Sequence, residues 1–263
     1  MRGSITPTFL RGEITEIMIE LTEKDTARSI EVDGMKISYH EAGEGDPVIF
    51  LHSYNVGTSA WLNYHKNLPF LSQHFRCIAM DMVNFGRTGP LVYHEPGHHV
   101  HARTALKLMD GLGIDKAHFV GNSNGGTTCL VFALAHPDRI GKIVMGGSHA
   151  STGGDPYLIA NRPSEGSKMN RETNQDPTRE NIRRNMLVHL DNSELVTDQL
   201  VEYMYENANS HPDHREARLS STTVPHSNLA DLPKIKSPVL IIHGRYDRMV
   251  PVEVGLAVMN YLS

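Results

Sequence analysis

Several features typical of other kinds of protein are missing from this chain of 263 residues. No apolar run approaches the roughly 18–20 residues that a membrane-spanning helix needs. The first ten residues lack the basic start and apolar centre of a secretory signal peptide. Cysteine is rare, and Cys77 and Cys129 fall in a predicted strand and a predicted helix, where we expect buried free thiols. Such thiols are typical of a reducing compartment, so we predict a cytoplasmic protein with no membrane partner.

Charge of one sign is not concentrated anywhere in the sequence. Lys and Arg total 25 against 30 Asp and Glu, which gives a formal net charge of −5. A nucleic-acid partner or an anionic membrane would call for a basic patch, so we predict a small-molecule substrate and no nucleic acid. The hydrophobic share of 39% is ordinary for a globular protein.

Short apolar runs alternate with helical patterns along most of the chain. The segment 29–43 predicts a hairpin that turns at Asp33-Gly34. Further predicted strands lie at 47–52, 76–82, 116–121, 139–147 and 237–244, and predicted helices at 61–71, 98–112, 124–137 and from about Val252. This alternation predicts an α/β fold, with a mostly parallel sheet covered by helices on both faces.

The pattern changes between Ser148 and about Pro233. Polar, helix-prone segments occupy 177–190, 193–210 and 214–221, and no buried strand is expected among them. We therefore predict three parts, listed in chain order: a first part of the core at 1–148, a helical cap at 149–232 and a second part of the core at 233–263.

The segment GNSNGG, residues 121–126, fits the pattern G-x-S-x-G between a predicted strand and a predicted helix. In that setting the serine stands on a sharp turn with its Oγ exposed, and the glycines leave room for the crowded backbone. We predict that Ser123 is a nucleophile. The alternative is a glycine-rich turn that only packs the helix against the strand.

Asp247 follows the predicted strand 237–244, at the sheet edge where the sites of open parallel sheets assemble. It also lies downstream of the serine, as the chain order Ser, Asp, His requires. We predict that Asp247 orients a catalytic histidine. A turn aspartate that caps the helix beginning near Pro251 is the alternative.

Residues His52 to Asn55 follow another predicted strand, where backbone N–H groups can stabilise an oxyanion. Here the sequence resembles the α/β-hydrolase superfamily, and within it the meta-cleavage-product (carbon–carbon bond) hydrolase branch. The segments that carry the resemblance are HS at 52–53, IAMDMVNFGRT at 78–88, VGNSNGG at 120–126 and PVLIIHGRYDRMVP at 238–251.

The resemblance implies an α/β-hydrolase fold and hydrolysis of a carbon–carbon bond in a 2-hydroxy-6-oxo-dienoate from aromatic degradation. It implies an oxyanion hole from the N–H groups of Tyr54 or Asn55 and Asn124. Asn122 would bind the dienoate end, with Ser53 beside it. The resemblance implies no metal or organic cofactor, and it is compatible with a homo-oligomer.

The sequence departs from the branch at three places. Ser53, Tyr54 and Asn55 stand where the branch has a glycine-rich run, so the bulky Tyr54 either packs or donates its hydroxyl to an oxyanion. Met204 stands where the branch carries a substrate-binding arginine in the cap. Arg183 or Arg184 replaces that arginine, or both lie on a solvated helix face.

The third departure concerns the base. The resemblance places the catalytic histidine about 25–30 residues after the aspartate, but the last histidine of the sequence is His243. We therefore expect that the printed chain lacks the C-terminal strand and helix of the fold. His149 is a second candidate for the base, and the histidine-rich segment 94–101 has the spacing of a metal site, although a polar loop fits it as well.

Two other functions stay open at this point. An uncharged ester needs no cationic clamp, so Met204 also fits a carboxylesterase or lactonase that acts on a hydrophobic ester. A non-catalytic relative that binds a ligand in the same pocket is the third hypothesis.

Overall fold

The structure is a computed structural model that describes residues 20–152, 164–222 and 224–262. Its strands form one main sheet and one short pair. The strands are β1 (Ala27–Val32), β2 (Met35–Ala42), β3 (Pro47–Leu51), β4 (Arg76–Met80), β5 (Ala117–Asn122), β6 (Ile140–Gly146), β7 (Ser151–Thr152), β8 (His226–Ser227) and β9 (Val239–Ile242). The helices are α1 (Glu23–Thr26), α2 (Ala60–Tyr64), α3 (Leu68–Leu71), α4 (Gly97–Gly111), α5 (Asn124–Ala135), α6 (Glu165–Gln175), α7 (Arg179–His189), α8 (Asp198–Asn209), α9 (Pro212–Ser220) and α10 (Val252–Tyr261), with 3-10 turns at Ser193–Leu195 and Leu229–Lys234.

Seven strands form the main sheet in the order β1-β2-β4-β3-β5-β6-β9. The pairs β1–β2 and β2–β4 are antiparallel, and all the other pairs are parallel. This confirms the predicted α/β fold with a mostly parallel sheet. Because β3, β5 and β9 run the same way, the loops that follow them meet at one edge of the sheet.

The hairpin of β1 and β2 turns where the sequence predicts it. Asp33 and Gly34 have φ values of 51° and 74°, both in the left-handed region. A two-residue turn of this kind matches the twist of the paired strands, which explains why Asp-Gly stands there.

The core lies on both faces of the sheet. On one face, α4 and α5 pack against residues such as Ile49, Ile78 and Phe119. On the other face, α2 and α3 cover Val48 and Phe50. Both cysteines are buried and free, as predicted, and burial raises the pKa of the Cys77 thiol to about 12.

The described residues between β6 and β9 contain four helices, α6 to α9, which we name the helical insert. The helices α7 and α8 fall within two of the segments predicted to be helical, and α9 overlaps the third but begins two residues earlier, at Pro212. The helix α6 was not predicted, because its sequence EGSKMNRETNQ offers almost no apolar stripe. Residues 153–163 of the predicted cap lie outside the described residues, and the boundaries 148/149 and 232/233 stay predictions.

One sequence-based expectation about the elements is wrong in detail. The helix predicted at 61–71 is two short helices, because Pro69 lacks an N–H and stands in the first turn of α3. No buried strand was expected between Ser148 and Pro233; the short pair of β7 and β8 lies there, with two residues in each strand, and β8 is not buried. Such a short pair leaves no alternating pattern to detect in the sequence.

The strand β9 forms one edge of the main sheet. Its side chains Leu240 and Ile242 are more than half exposed. No helix in the described part of the chain is long and apolar enough to cross a membrane.

Replacement of Phe119 by alanine is expected to destabilise the fold strongly. Phe119 is fully buried and its ring centroid lies 4.5 Å from that of Phe132. The cavity left behind should cost roughly 3–5 kcal/mol of unfolding free energy, measured by urea denaturation. Phe70→Ala is the control, because Phe70 is 43% exposed and its loss should cost at most about 0.5 kcal/mol. Equal losses for the two variants would contradict the assignment of Phe119 to the core.

Candidate active site

The turn from β5 to α5 holds Ser123 in a strained conformation. Ser123 has φ 52° and ψ −114°, and its N–H donates to the carbonyl of Gly146 at 2.7 Å. A Cβ on Gly121 would lie 2.4 Å from the Gly125 carbonyl carbon, and one on Gly125 would lie 2.0 Å from the Leu51 oxygen. Only glycine fits at these two places. The turn therefore has the geometry of a nucleophile elbow.

The helix α5 begins at Asn124, directly after the serine. The first N–H groups of a helix have no acceptor within the helix, and they carry the positive end of its dipole. A negative charge that develops beside Ser123 is therefore stabilised by the start of α5. The carbonyl of Asn124 accepts from the hydroxyl of Thr128 at 2.9 Å.

The loop after β3 is fixed by the buried imidazole of His52. Its Nδ1 donates to the Ser53 carbonyl at 2.7 Å, and its Nε2 accepts from the Met82 N–H at 2.8 Å. These two bonds define a neutral tautomer. Burial lowers the pKa of His52 to about 4, so the ring keeps its acceptor at neutral pH.

Asn63 of α2 links this loop to the elbow, and sequence reasoning missed it. Its Oδ1 accepts from the Ser53 N–H at 3.1 Å and from the Asn122 Nδ2 at 3.3 Å. Its Nδ2 donates to the Thr58 hydroxyl at 2.6 Å. No local motif surrounds this asparagine, so the sequence carries no signal for the bridge.

Tyr54 and Asn55 connect the same loop to other parts of the fold. The ring of Tyr54 packs edge to face on Phe85, with centroids 5.1 Å apart, in line with a packing role. The buried Asn55 accepts at Oδ1 from the Asn185 amide, at 2.8 Å, so its side chain holds the helical insert against the loop.

The carboxylate of Asp247 has two different surroundings. Its Oδ1 accepts from the N–H groups of Met249 and Val250 at 2.8 and 2.9 Å, which is the turn contact of the alternative interpretation. Its Oδ2 lies 3.6 Å from the Nε2 of His243. That Nε2 donates to the Val250 carbonyl at 2.8 Å, so the Oδ2 atom remains available toward the site.

A cavity of about 770 Å³ collects most of the predicted site residues. The helical insert closes one side of it, and the loops after β3, β5 and β9 close the other. The predicted residues along its wall are Ser53, Tyr54, Asn55, Asn122, Ser123, Met204 and Asp247. Asn124 is not among the described lining residues, because it lies behind Ser123 at the start of α5.

Met204 is buried at the contact between α8 and the loop after β3. A Cβ on Gly57, which has φ 68°, would lie 2.0 Å from the Met204 carbonyl oxygen. Arg183 forms an ion pair with Asp198 and Arg184 is exposed. Neither arginine is among the described residues that line the cavity, so neither replaces the arginine of the branch there.

His149 and the histidine-rich segment 94–101 do not contribute to the cavity wall in the described residues. His149 lies against α5, with its Nδ1 3.2 Å from the Thr127 hydroxyl. The described histidines with ligand atoms close enough to share an ion are instead His211 and His214, with Asp213. Their two rings stack at an interplanar angle of 19°, so the ring lone pairs do not converge on one point.

Comparison with known proteins decides the family. A family model described as the alpha/beta hydrolase fold matches residues 46–260. This chain belongs to the α/β-hydrolase family.

Relatives of this α/β-hydrolase place it in the meta-cleavage-product hydrolase branch. It is 34% identical over 245 residues to a 2-hydroxy-6-oxononadienedioate/2-hydroxy-6-oxononatrienedioate hydrolase of Burkholderia vietnamiensis, covering 89% of this chain and 84% of the relative. It is 35% identical over 252 residues to a 2-hydroxy-6-oxo-6-phenylhexa-2,4-dienoate hydrolase of Burkholderia cepacia, covering 91% and 86%.

A solved structure is similar over the same extent. A mutant of the meta-cleavage product hydrolase from Pseudomonas fluorescens IP01, complexed with acetates, superposes with a TM-score of 0.77 at 28% identity. The match covers 91% of this hydrolase and 87% of that chain.

The ring of His52 should stay neutral far into the acid range. Because burial lowers its pKa from 6.5 to about 4, the unfolded chain binds a proton at His52 before the folded hydrolase does. Its contribution to unfolding free energy is therefore complete above pH 6.5 and is lost as pH falls toward 4. An NMR titration of the His52 ring carbons should show a midpoint near 4. A midpoint for His52 at or above the ordinary value of 6.5 would contradict the buried, neutral ring.

Proposed function

We propose that this protein is a serine-dependent hydrolase that cleaves a carbon–carbon bond in a 2-hydroxy-6-oxo-dienoate produced by aromatic ring cleavage. The observation that carries the proposal is Ser123 on a strained strand-to-helix turn, in one cavity with Asp247. The substrate class rests on the names of the relatives that are 34% and 35% identical over most of the chain.

The roles of the core residues follow from where their polar atoms lie. Ser123 is the nucleophile, or it activates the water that attacks. The N–H of Asn124, with that of Tyr54 or Asn55, stabilises the oxyanion, because these groups flank the serine at the helix start and in the facing loop. Asp247 orients the imidazole that accepts the proton, through the Oδ2 that its turn contacts leave available.

The reaction would proceed in two stages. The dienol first ketonises, which makes C5 a competent leaving carbon. Ser123 Oγ or water then adds to the 6-oxo carbon, and the bond between C5 and C6 breaks as the oxyanion collapses. The C5 fragment takes a proton, and C6 leaves as a carboxylic acid after water has been consumed.

The polar end of the substrate would lie against Asn122 and Ser53. Asn63 holds both in place through one amide oxygen. The helical insert acts as the cap, and Met204 gives its side of the cavity an apolar surface. We also propose that the protein works in the cytoplasm, since both of its thiols are free and buried. Its oligomeric state stays a prediction.

An ester substrate is the second candidate, and Met204 favours it. The helical insert contributes no Lys or Arg to the described residues that line the cavity, where the cation is Lys66 of the core. An uncharged carboxylic ester or lactone would need no cationic clamp from the insert. Ser123 would attack the ester carbonyl in the same site, and the leaving group would be an alkoxide instead of a carbon.

Ser123→Ala should abolish turnover. The loss in kcat should be on the order of 10⁴-fold or more, because removing a serine nucleophile removes the action of the whole catalytic group. The measurement compares steady-state hydrolysis of a 6-phenyl dienoate and of an aryl ester by the wild type and the variant, with Ser148→Ala as a matched serine control. Activity on the ester alone would overturn the carbon–carbon proposal. Full turnover by Ser123→Ala would refute the serine mechanism, and binding of the dienoate without turnover of either compound would favour the non-catalytic hypothesis.

A further inference from the structure

Tyr203 of α8 stands between two cavities. It lies in the wall of the active-site cavity, and it also lines a second cavity of about 250 Å³. Among the described residues, Tyr203 is the one that borders both. Its side chain therefore separates the active-site cavity from the space behind it.

The hydroxyl of Tyr203 is held on the side of the second cavity. It donates to Oε1 of Glu23 at 3.4 Å, and its oxygen lies 3.1 Å from Oγ of Ser59. Both partners line the second cavity, and neither is among the described residues that line the active-site cavity. Burial raises the pKa of Tyr203 to about 12, so the hydroxyl keeps its proton at neutral pH. The ring is thus fixed across the boundary between the two cavities.

A short series of contacts relates Tyr203 to the residues beside the serine. The carbonyl of Ser59 accepts from Nδ2 of Asn63 at 3.2 Å. The Oδ1 of Asn63 accepts in turn from Nδ2 of Asn122 at 3.3 Å. Tyr203 therefore closes the active-site cavity on the side of Asn63 and Asn122, where the acid end of the substrate is proposed to lie.

The second cavity carries an excess of positive charge. Three cationic side chains line it: Arg28, Lys36 and Arg87. None of the three is ion-paired with a carboxylate in the part of the chain that the structure describes. The pKa of His40 in the same wall is lowered to about 4, mainly by burial and further by the guanidinium groups of Arg87 and Arg28.

The two carboxylates of the second cavity already have donors. Glu23 accepts from Tyr203, and the buried Asp81 accepts from two main-chain N–H groups. An additional carboxylate that entered this cavity would therefore find cations that no described carboxylate neutralises.

We propose that Tyr203 is a specificity-determining residue that limits the acid end of the ligand to the length of a free carboxylate. The inference rests on the proposed function for the substrate class and for the orientation of the substrate. A ligand lengthened at its acid end meets the ring of Tyr203. The cationic cavity behind the ring would accept a longer, anionic end, and the ring excludes that end from it.

The test measures dissociation constants in a Ser123→Ala background, where binding is separated from turnover. The probes are two C1 amides of a 6-phenyl 2-hydroxy-6-oxo-dienoate. The short one is the primary amide, which has the size of the carboxylate, and the long one is the amide with γ-aminobutyrate, which ends in a carboxylate. The short amide should bind about tenfold more tightly, because the long end overlaps the Tyr203 ring. Tyr203→Ala should abolish this preference, Tyr203→Leu should reduce it, and Tyr203→Phe should retain it, because the ring remains.

Two further variants show where the long end lies. Arg87→Gln in the Tyr203→Ala protein should weaken binding of the long amide roughly two- to fivefold and leave the short amide unchanged, because the terminal carboxylate loses one cation. Tyr205→Ala is the matched control on α8. The ring of Tyr205 lies 3.6 Å below the Arg179 guanidinium and is not among the described residues that line either cavity, so its loss should leave the preference unchanged.

A preference for the short amide that persists in both Tyr203→Ala and Tyr203→Leu would overturn the inference. Absence of the preference from the parent protein, its loss in Tyr203→Phe, or failure of the short amide to bind would also overturn it. If Tyr203→Ala does not fold, Tyr203→Leu decides alone. Turnover of the free acid by the protein with Ser123 intact reports on the proposed function separately. A preference that depends on Tyr203, without hydrolysis of the free acid, would refute carbon–carbon cleavage and leave this inference standing.

Discussion

The contact between α5 and the end of β3 is the constraint on which the site depends. Gly125 lies so close to the Leu51 carbonyl that a single added carbon would overlap the oxygen. This close approach brings the first turn of α5 beside the loop after β3. The serine hydroxyl and the N–H groups of that loop therefore lie on the same side of the site. The close approach requires a positive φ at Ser123, which is a strained backbone conformation. The packed core on both faces of the sheet stabilises the fold enough to hold this strain.

A second set of contacts attaches the helical insert to that same loop. The amide of Asn185 bonds to Asn55, and the main chain of α8 lies directly on Gly57. Both contacts are made within a few residues of His52, whose own hydrogen bonds hold the loop to the segment after β4. The loop after β3 is therefore held in one conformation on the core side of the cavity. The insert closes the other side in a position that specific contacts with this loop define.

The fold was predictable because its signals are local. The hairpin at Asp33-Gly34, the apolar runs of β3 to β6 and the glycines around Ser123 each specify a structure within a few residues. Asn63 was not predictable, since its role depends on a partner far away in the chain: Asn122 lies 59 residues from Asn63. The helix α6 was missed for a different reason, because it is polar on nearly every face and its only clear signal is the cap at Ser164.

The docking of α8 uses residue 204 twice. Its backbone carbonyl lies directly on Gly57, and its buried side chain packs with Val56 and Ile182 in the apolar cluster between the insert and the loop after β3. The same side chain lies in the cavity wall. Position 204 therefore couples the surface that a substrate meets to the packing that holds the cap, so a charged side chain there would have to be accommodated by the insert as well as by the cavity.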